Sequence, residues 1–107
     1  MRELSVGELA AWLADASRPA PTIVDVREGW ELERACLKNV VHIPMRSIPA
    51  SLDRLESDAP TICLCHHGAR SRQVANFLEH NGMSEVYNLT GGIDEWALSQ
   101  DPSVGRY

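Results

Sequence analysis

The stretch that decides the fold is an apolar run passing directly into a helical pattern, and it reads Thr61-Ile62-Cys63-Leu64-Cys65-His66-His67-Gly68-Ala69-Arg70-Ser71. The apolar part, 61–65, has the length and composition of a short buried strand. From Ser71 to Asn81 apolar side chains recur on one helical stripe, and Gly82 suits the position after a helix. The stretch therefore predicts a strand followed by a helix, the junction at which open parallel sheets bind ligands.

Strand-like and helix-like segments alternate along the rest of the chain, which predicts an α/β fold. The run Thr22-Ile23-Val24-Asp25-Val26 is typical of a parallel strand buried on both faces. A capping-box spacing from Ser5 to Glu8 predicts the start of a first helix. The other predicted elements are strands at 40–43 and 85–89, and helices at about 52–55 and 93–98. The segment 28–34 is predicted only to be polar, and the tail, 99–107, carries no clear pattern.

Length and composition predict one folded domain over 1–107. The chain has 107 residues, of which 44% are hydrophobic and 23% charged, far from the composition of disordered chains. The net charge of −5 argues against a general nucleic-acid binder or a protein of anionic membrane surfaces. No apolar run approaches the length of a membrane span or a signal peptide, so we expect a cytoplasmic protein. The three cysteines show no disulfide framework, which also fits a reduced compartment.

The junction at Cys65 has the features of an anion-binding nest. Gly68 permits a tight curl in which successive backbone N–H groups point inward at the start of a helix. These amides, the positive end of the helix dipole and Arg70 would stabilise a thiolate on Cys65. The pattern therefore predicts that Cys65 is a nucleophile whose electrophile is anionic.

At these residues the sequence resembles the rhodanese family of sulfurtransferases, and the resemblance covers most of the chain. The loop from Cys65 to Ser71 is the most specific match, and its paired histidines are similar to those of small bacterial single-domain members. The other matching motifs are Asp25-Val26-Arg27 with Glu28 and Glu31, Val41-His42-Ile43-Pro44, Leu89-Thr90-Gly91-Gly92 with Trp96, and Asp101-Pro102-Ser103.

The resemblance implies a rhodanese-like three-layer sandwich, in which a mostly parallel sheet of about five strands has helices on both faces. It implies that Cys65 takes a sulfane sulfur as a persulfide from thiosulfate or another persulfide and passes it to a thiol or cyanide. Asp25 and Arg27 would lie near the loop. No metal or organic cofactor is expected, and a sulfur-carrier protein or a cysteine desulfurase is a candidate partner. The amides expected to cradle the sulfur are those of His66, His67, Gly68, Ala69 and Arg70.

The sequence departs from the family pattern before the mid-chain strand. Where the family usually has Gly-His-Ile-Pro-Gly, this chain has Ala35-Cys36-Leu37-Lys38-Asn39. Asn39 can still take the left-handed conformation that glycine would supply.

Two alternatives to a sulfurtransferase stay open. The first is a non-catalytic rhodanese-like module that recruits a partner protein, although loss of the cysteine would be its expected mark. The second is a relative of phosphatases and arsenate reductases, whose loops are one residue longer. The six residues from Cys65 to Arg70 favour sulfur, because a smaller ring of amides suits a terminal sulfur better than a phosphate.

The remaining candidate residues receive structural interpretations. Zinc is disfavoured, because the Cys63-x-Cys65 spacing is too short for a usual site and a nest needs Cys65 free. Cys63 is predicted to point into the core. His66 and His67 either donate only their amides or include one group that titrates with the persulfide. Trp12, Trp30, Trp96 and Phe77 are expected in or near the core, Arg46 is a weak candidate to face the site, and the role of Cys36 is open.

Overall fold

The centre of the fold is a parallel sheet. The computed structural model describes residues 1–107, and its strands are β1 (Arg2–Leu4), β2 (Thr22–Asp25), β3 (Val41–His42), β4 (Thr61–Leu64) and β5 (Val86–Leu89). They lie in the order β1-β5-β4-β2-β3, and every neighbouring pair is parallel. The predicted α/β class with a parallel sheet is confirmed.

Four α-helices connect or flank the strands: α1 (Val6–Ala14), α2 (Gly29–Arg34), α3 (Ala69–His80) and α4 (Gly92–Ser99). Short 3₁₀ segments occupy Met45–Ser47, Pro49–Arg54 and Pro102–Val104. The capping box of α1 is present, since the Ser5 hydroxyl accepts from the Glu8 amide and the Glu8 carboxylate accepts from the Ser5 amide. None of these helices has both the length and the apolar composition that crossing a bilayer requires.

The two faces of the sheet carry separate apolar clusters, as alternation along a strand requires. On β4, Ile62 and Leu64 face one cluster, which also holds apolar residues of α1 and α4. Cys63 and Cys65 face the other, which also holds residues of α3 and of the 3₁₀ segments. Helical layers therefore cover both faces, and the predicted three-layer sandwich is confirmed.

The order of the strands places the candidate site at a reversal of the chain connections. The chain runs outward from β2 to β3 and then crosses back to β4 and β5 on the other side of β2. The register pairs Asp25 with Leu64, so the carboxyl ends of β2 and β4 are level. Such a switch point opens a crevice beyond the strand ends.

Several elements differ from the sequence predictions. The polar segment 28–34 forms α2, whose only buried residue is Glu31, so it has no apolar stripe that periodicity could detect. The predicted helix near 52–55 is the 3₁₀ segment Pro49–Arg54, and the three-residue strand β1 was not predicted. Trp30 and Phe77 were expected in or near the core but are 57% and 37% exposed. Trp30 lies on the outer side of α2, and Phe77 lies beside the buried positions of α3.

The turn before β3 uses a left-handed residue where the sequence allows one. Asn39 has a φ of 61° and is the only non-glycine residue with a positive φ. Asparagine and alanine both bring a Cβ close to the following carbonyl there, but the short polar side chain of asparagine offsets part of that cost and the methyl group of alanine does not. Asn39→Ala should therefore lower the free energy of unfolding by about 1 kcal/mol, measured by urea denaturation. The matched variant Asn39→Gly should lower it less, and equal losses in the two variants would show that the left-handed conformation is not the constraint.

Candidate active site

The loop after β4 curls because α4 holds its carbonyl groups from outside. The Ile93 amide donates to the Cys65 carbonyl at 2.9 Å, and the Asp94 amide donates to the His66 carbonyl at 3.1 Å. This contact needs Gly92, since a Cβ there would lie 2.4 Å from the His66 carbonyl oxygen. With these carbonyls turned outward and Gly68 at a φ of 107°, the amides of the loop turn toward its centre.

The Cys65 sulfur lies at the bottom of this loop, and the residue is only 1% exposed. Its Sγ accepts from the Gly68 amide at 3.0 Å and from the Ser71 amide at 3.4 Å, and the Ser71 hydroxyl oxygen lies 3.2 Å away. Of the amides predicted to cradle the sulfur, only that of Gly68 contacts Sγ. The other predicted amides have no acceptor within the protein, and they belong to His66, His67, Ala69 and Arg70.

Ser71 and Asn88 form a second layer beneath the sulfur. The Ser71 hydroxyl oxygen lies 2.5 Å from Asn88 Oδ1. Asn88 Nδ2 donates to the Gly68 carbonyl at 3.1 Å and to Glu3 at 2.9 Å, which fixes Oδ1 as the acceptor facing Ser71. The hydroxyl has one hydrogen, so it donates to Asn88 when the Cys65 thiol donates to it, and it can turn to the sulfur when the thiolate forms.

Arg70 is held by Glu31 rather than directed freely at the sulfur. Two guanidinium nitrogens donate to the two carboxylate oxygens of Glu31, each at 2.7 Å. The Glu28 amide and the Tyr107 hydroxyl also donate to this carboxylate, at 2.8 Å each. The hydrogen bonds from Arg70 above all lower the pKa of Glu31 to about 2, so Glu31 is ionised at neutral pH.

Asp25 and Arg27 lie near the site, behind Glu31. Both side chains are fully buried, and they pair through contacts of 2.9 and 2.7 Å. Arg27 also donates to the carbonyls of Glu31 and Ala35 and to the Tyr107 hydroxyl. The pair therefore fixes the helix that carries Glu31 and acts on the loop indirectly.

The two loop histidines stack with the tail of the chain. The ring of His66 lies 3.9 Å from that of His67 and 3.9 Å from that of Tyr107. Burial, and then the neighbouring His67, lowers the pKa of His66, so His66 is mostly neutral at neutral pH. Neither imidazole makes a hydrogen bond to the Cys65 sulfur.

The other candidates lie outside the loop. Cys63 is fully buried, and burial raises its pKa to about 12, as the prediction of a core position requires. Cys36 is exposed, and its thiol donates to the Leu37 carbonyl at 3.1 Å. Arg46 pairs with Glu28 at 2.5 Å and is 73% exposed. His42 lies 2.7 Å from the Arg27 carbonyl, and no group of three or more His, Cys, Asp or Glu side chains is placed to hold a metal ion.

Sequence reasoning assigned no role to four side chains that build this site. Ser71 and Glu31 lie within the motifs that resemble the family. The only sequence signal for a role in the site was the position of Ser71 in the first turn of a helix and that of Glu31 in the acidic motif. Asn88 and Tyr107 reach the site across 20 and 76 residues of sequence, to Gly68 and to Glu31 respectively. No local sequence pattern predicts contacts between residues so far apart in the chain.

Comparison with known proteins identifies the family. Residues 5–99 match the family model of the rhodanese-like domain. A rhodanese-like/PpiC domain-containing protein from Arabidopsis thaliana is 36% identical over 112 aligned residues, which cover 100% of this chain but only 38% of that protein. The thiosulfate sulfurtransferase GlpE of Actinobacillus pleuropneumoniae is 33% identical over 86 residues, 80% of each chain. The crystal structure of SSP1007 from Staphylococcus saprophyticus superimposes with a TM-score of 0.83 at 34% identity, covering 94% of this chain and 97% of that one.

Breaking the buried pair behind the loop should destabilise the fold more than breaking an exposed pair. Asp25→Ala leaves Arg27 buried without its counter-ion and should lower the free energy of unfolding by about 3–5 kcal/mol, measured by urea denaturation. Arg46→Ala breaks the exposed pair with Glu28 and serves as the control, with a loss below about 1 kcal/mol. Similar losses in the two variants would contradict the assigned importance of the buried pair.

The hydroxyl of Ser71 should support the reactivity of Cys65. Ser71→Ala removes a donor to the thiolate and should slow alkylation of Cys65 by iodoacetamide about tenfold, the equivalent of one hydrogen bond. Peptide mass spectrometry measures the rate, and thermal melting checks the fold. The control is Ser57→Ala, which removes an exposed hydroxyl elsewhere. An unchanged alkylation rate in Ser71→Ala would show that the Ser71 hydroxyl does not support the reactivity of Cys65.

Proposed function

Since the chain belongs to the rhodanese-like domain family, we propose that it is a sulfurtransferase that carries a sulfane sulfur as a persulfide on Cys65. The observation that carries the proposal is the ring of donors around the Cys65 sulfur. These donors are backbone amides and one hydroxyl, and no carboxylate or imidazole hydrogen-bonds to Sγ. Such a ring stabilises an anionic sulfur without supplying a general base.

The reaction is a double displacement that needs no redox agent. The Cys65 thiolate attacks the outer sulfur of thiosulfate, the S–S bond of the donor breaks, and sulfite leaves with its electron pair. The loaded form is a cysteine persulfide anion. A thiol or cyanide then attacks the outer sulfur and restores the thiolate.

The loop contains separate donors for the two sulfur atoms of a persulfide. The amides of Gly68 and Ser71 contact the cysteine sulfur itself. The four loop amides without an acceptor in the protein are available to a second sulfur, which a disulfide-type bond would place about 2 Å beyond the first. This division supports a role for the loop in holding the loaded state.

The short loop favours sulfur over phosphate. Gly68 closes the ring at 3.0 Å from the cysteine sulfur, and a phosphoryl group would need space for three equatorial oxygens within the same ring. A non-catalytic recruiting module is the other alternative. The presence of Cys65, Gly68 and Arg70 in a formed loop supports the enzyme.

The proposed partners follow from the chemistry of the persulfide. A small anionic compound with a sulfane sulfur would load Cys65, and a thiol or cyanide would unload it. A cysteine desulfurase or a sulfur-carrier protein would serve the same two steps with protein-bound sulfur.

Sulfur uptake should be visible directly by intact mass spectrometry. After incubation with excess thiosulfate, the protein should gain the mass of one sulfur atom, and cyanide should remove it. Cys65→Ser should gain nothing, because a hydroxyl does not form the persulfide. Cys36→Ser makes the same exchange at an exposed thiol and should load normally.

Two results would overturn the proposal. Readily measured hydrolysis of an aryl phosphate without sulfur uptake would establish the phosphatase alternative. Absence of both activities in a folded protein, with thiosulfate and with an organic persulfide, would overturn the enzyme and favour the recruiting module.

A further inference from the structure

The charges beside Cys65 bear on which sulfur donors the site accepts. The cation of the loop, Arg70, already shares two 2.7 Å hydrogen bonds with Glu31, so the pair is electrically neutral. The Glu31 side chain is 5% exposed and is fixed by further donors from Glu28 and Tyr107. It therefore stays beside Arg70 as a permanent negative charge.

The other charges near the loop are compensated in the same way. Arg27 is paired with Asp25, both fully buried. Asp94, which lies 4.0 Å from His67, is paired with Arg106 at 2.9 Å. The crevice thus offers an incoming anion many hydrogen-bond donors and little net positive charge, on a chain whose own net charge is −5.

A dianion is disfavoured under these conditions. When thiosulfate meets the Cys65 thiolate, three negative charges converge at a site whose donors are mostly neutral: the loop amides, the Ser71 hydroxyl and the unpartnered Nε2 of His66, beside the remaining N–H groups of Arg70. The repulsion energy between the Glu31 carboxylate and a sulfur donor grows in proportion to the charge of the donor. A donor with one negative charge meets half of that repulsion.

We propose that Glu31 is a specificity-determining residue, which directs the site toward sulfur donors of single negative charge and against the thiosulfate dianion. This inference rests on the proposed sulfurtransferase function. It concerns the rate of loading, so thiosulfate in excess still loads Cys65 at the end point.

The probes are thiosulfate and the methanethiosulfonate anion, CH₃SO₂S⁻, in which a methyl group replaces one charged oxygen. Both donate their outer sulfur to the Cys65 thiolate by the same displacement. The S–S bond breaks, and sulfite or methanesulfinate leaves with the electron pair. The second-order rate of persulfide formation on Cys65 is measured by rapid quenching and intact mass spectrometry.

Removing the charge of Glu31 should change the two rates unequally. Glu31→Gln should accelerate loading by methanethiosulfonate about threefold. It should accelerate loading by thiosulfate about tenfold, because thiosulfate carries twice the charge, which doubles the electrostatic energy and squares the effect on the rate. Glu31→Ala is the second variant, since it removes the charge without setting an amide against Arg70. Thermal melting checks both variants.

The matched control is Glu33→Gln, which removes the same charge from the same helix. Glu33 is exposed and has no ion-pair partner, so this variant should leave the ratio of the two rates unchanged. In the unmodified protein, added salt should accelerate thiosulfate loading more than methanethiosulfonate loading, because screening weakens the larger repulsion.

The outcomes separate this inference from the function on which it rests. No persulfide from either donor, in the unmodified protein, would overturn the proposed function. Normal loading by both donors, with a rate ratio unchanged in the Glu31 variants or shifted equally in Glu33→Gln, would overturn only the role of Glu31. Slower loading by both donors in the Glu31 variants would show that Glu31 only positions Arg70, and would overturn the specificity role as well.

Discussion

The site depends on one close approach, between the loop that follows β4 and the first turn of α4. Two α4 amides donate hydrogen bonds to the carbonyls of Cys65 and His66, and the absence of a side chain at Gly92 allows this contact. A peptide unit whose carbonyl points outward presents its N–H on the other side, so this contact decides what surrounds the sulfur. The position of α4 is set in turn by Ile93 and Trp96 in the apolar cluster on that face of the sheet. Hydrophobic packing on one face of the sheet thus determines the electrostatics of a thiol at its edge.

Ion pairs take the place of apolar packing at the end of β2. The helix α2 buries no apolar side chain and has six residues, too few to be stable by itself. Arg27 holds this helix by donating to the carbonyl of Glu31 and to that of Ala35, the residue after the helix. Glu31 in turn binds Arg70 across the crevice. Buried pairs of this kind contribute little net stability compared with apolar residues, but they fix one geometry. Polar groups therefore line the crevice, and the pairing of their charges holds them in one arrangement.

The sequence indicated the sheet, the helix after Cys65 and the left-handed turn at Asn39, because each of these features depends on a short run of neighbouring residues. It did not predict α2, since the buried face of that helix is a carboxylate and not an apolar stripe. The family resemblance implied that Asp25 and Arg27 lie near the loop, but their contacts with each other and with the Glu31 carbonyl are side-chain contacts that no local pattern shows. The resemblance also implied that the amides from His66 to Arg70 cradle the sulfane sulfur. The structure divides them, because the ring closes on the cysteine sulfur through Gly68 and Ser71 alone.

Neutral donors give such a site a property that a cluster of free cations would lack. A thiolate and a persulfide anion carry the same charge, so a ring of amides stabilises the empty and the loaded cysteine alike. Neither state is then a deep energy minimum, and the proposed function requires this, because a carrier of sulfur must both accept the atom and release it. A free arginine would add long-range attraction for every anion, including the sulfite that leaves in the proposed reaction. By compensating Arg70, Glu31 removes that attraction and leaves its directional N–H groups in place. The stabilisation of charge on sulfur is thereby separated from the attraction of charged ligands, and in the role proposed for Glu31 the charge of a donor sets how readily it is accepted.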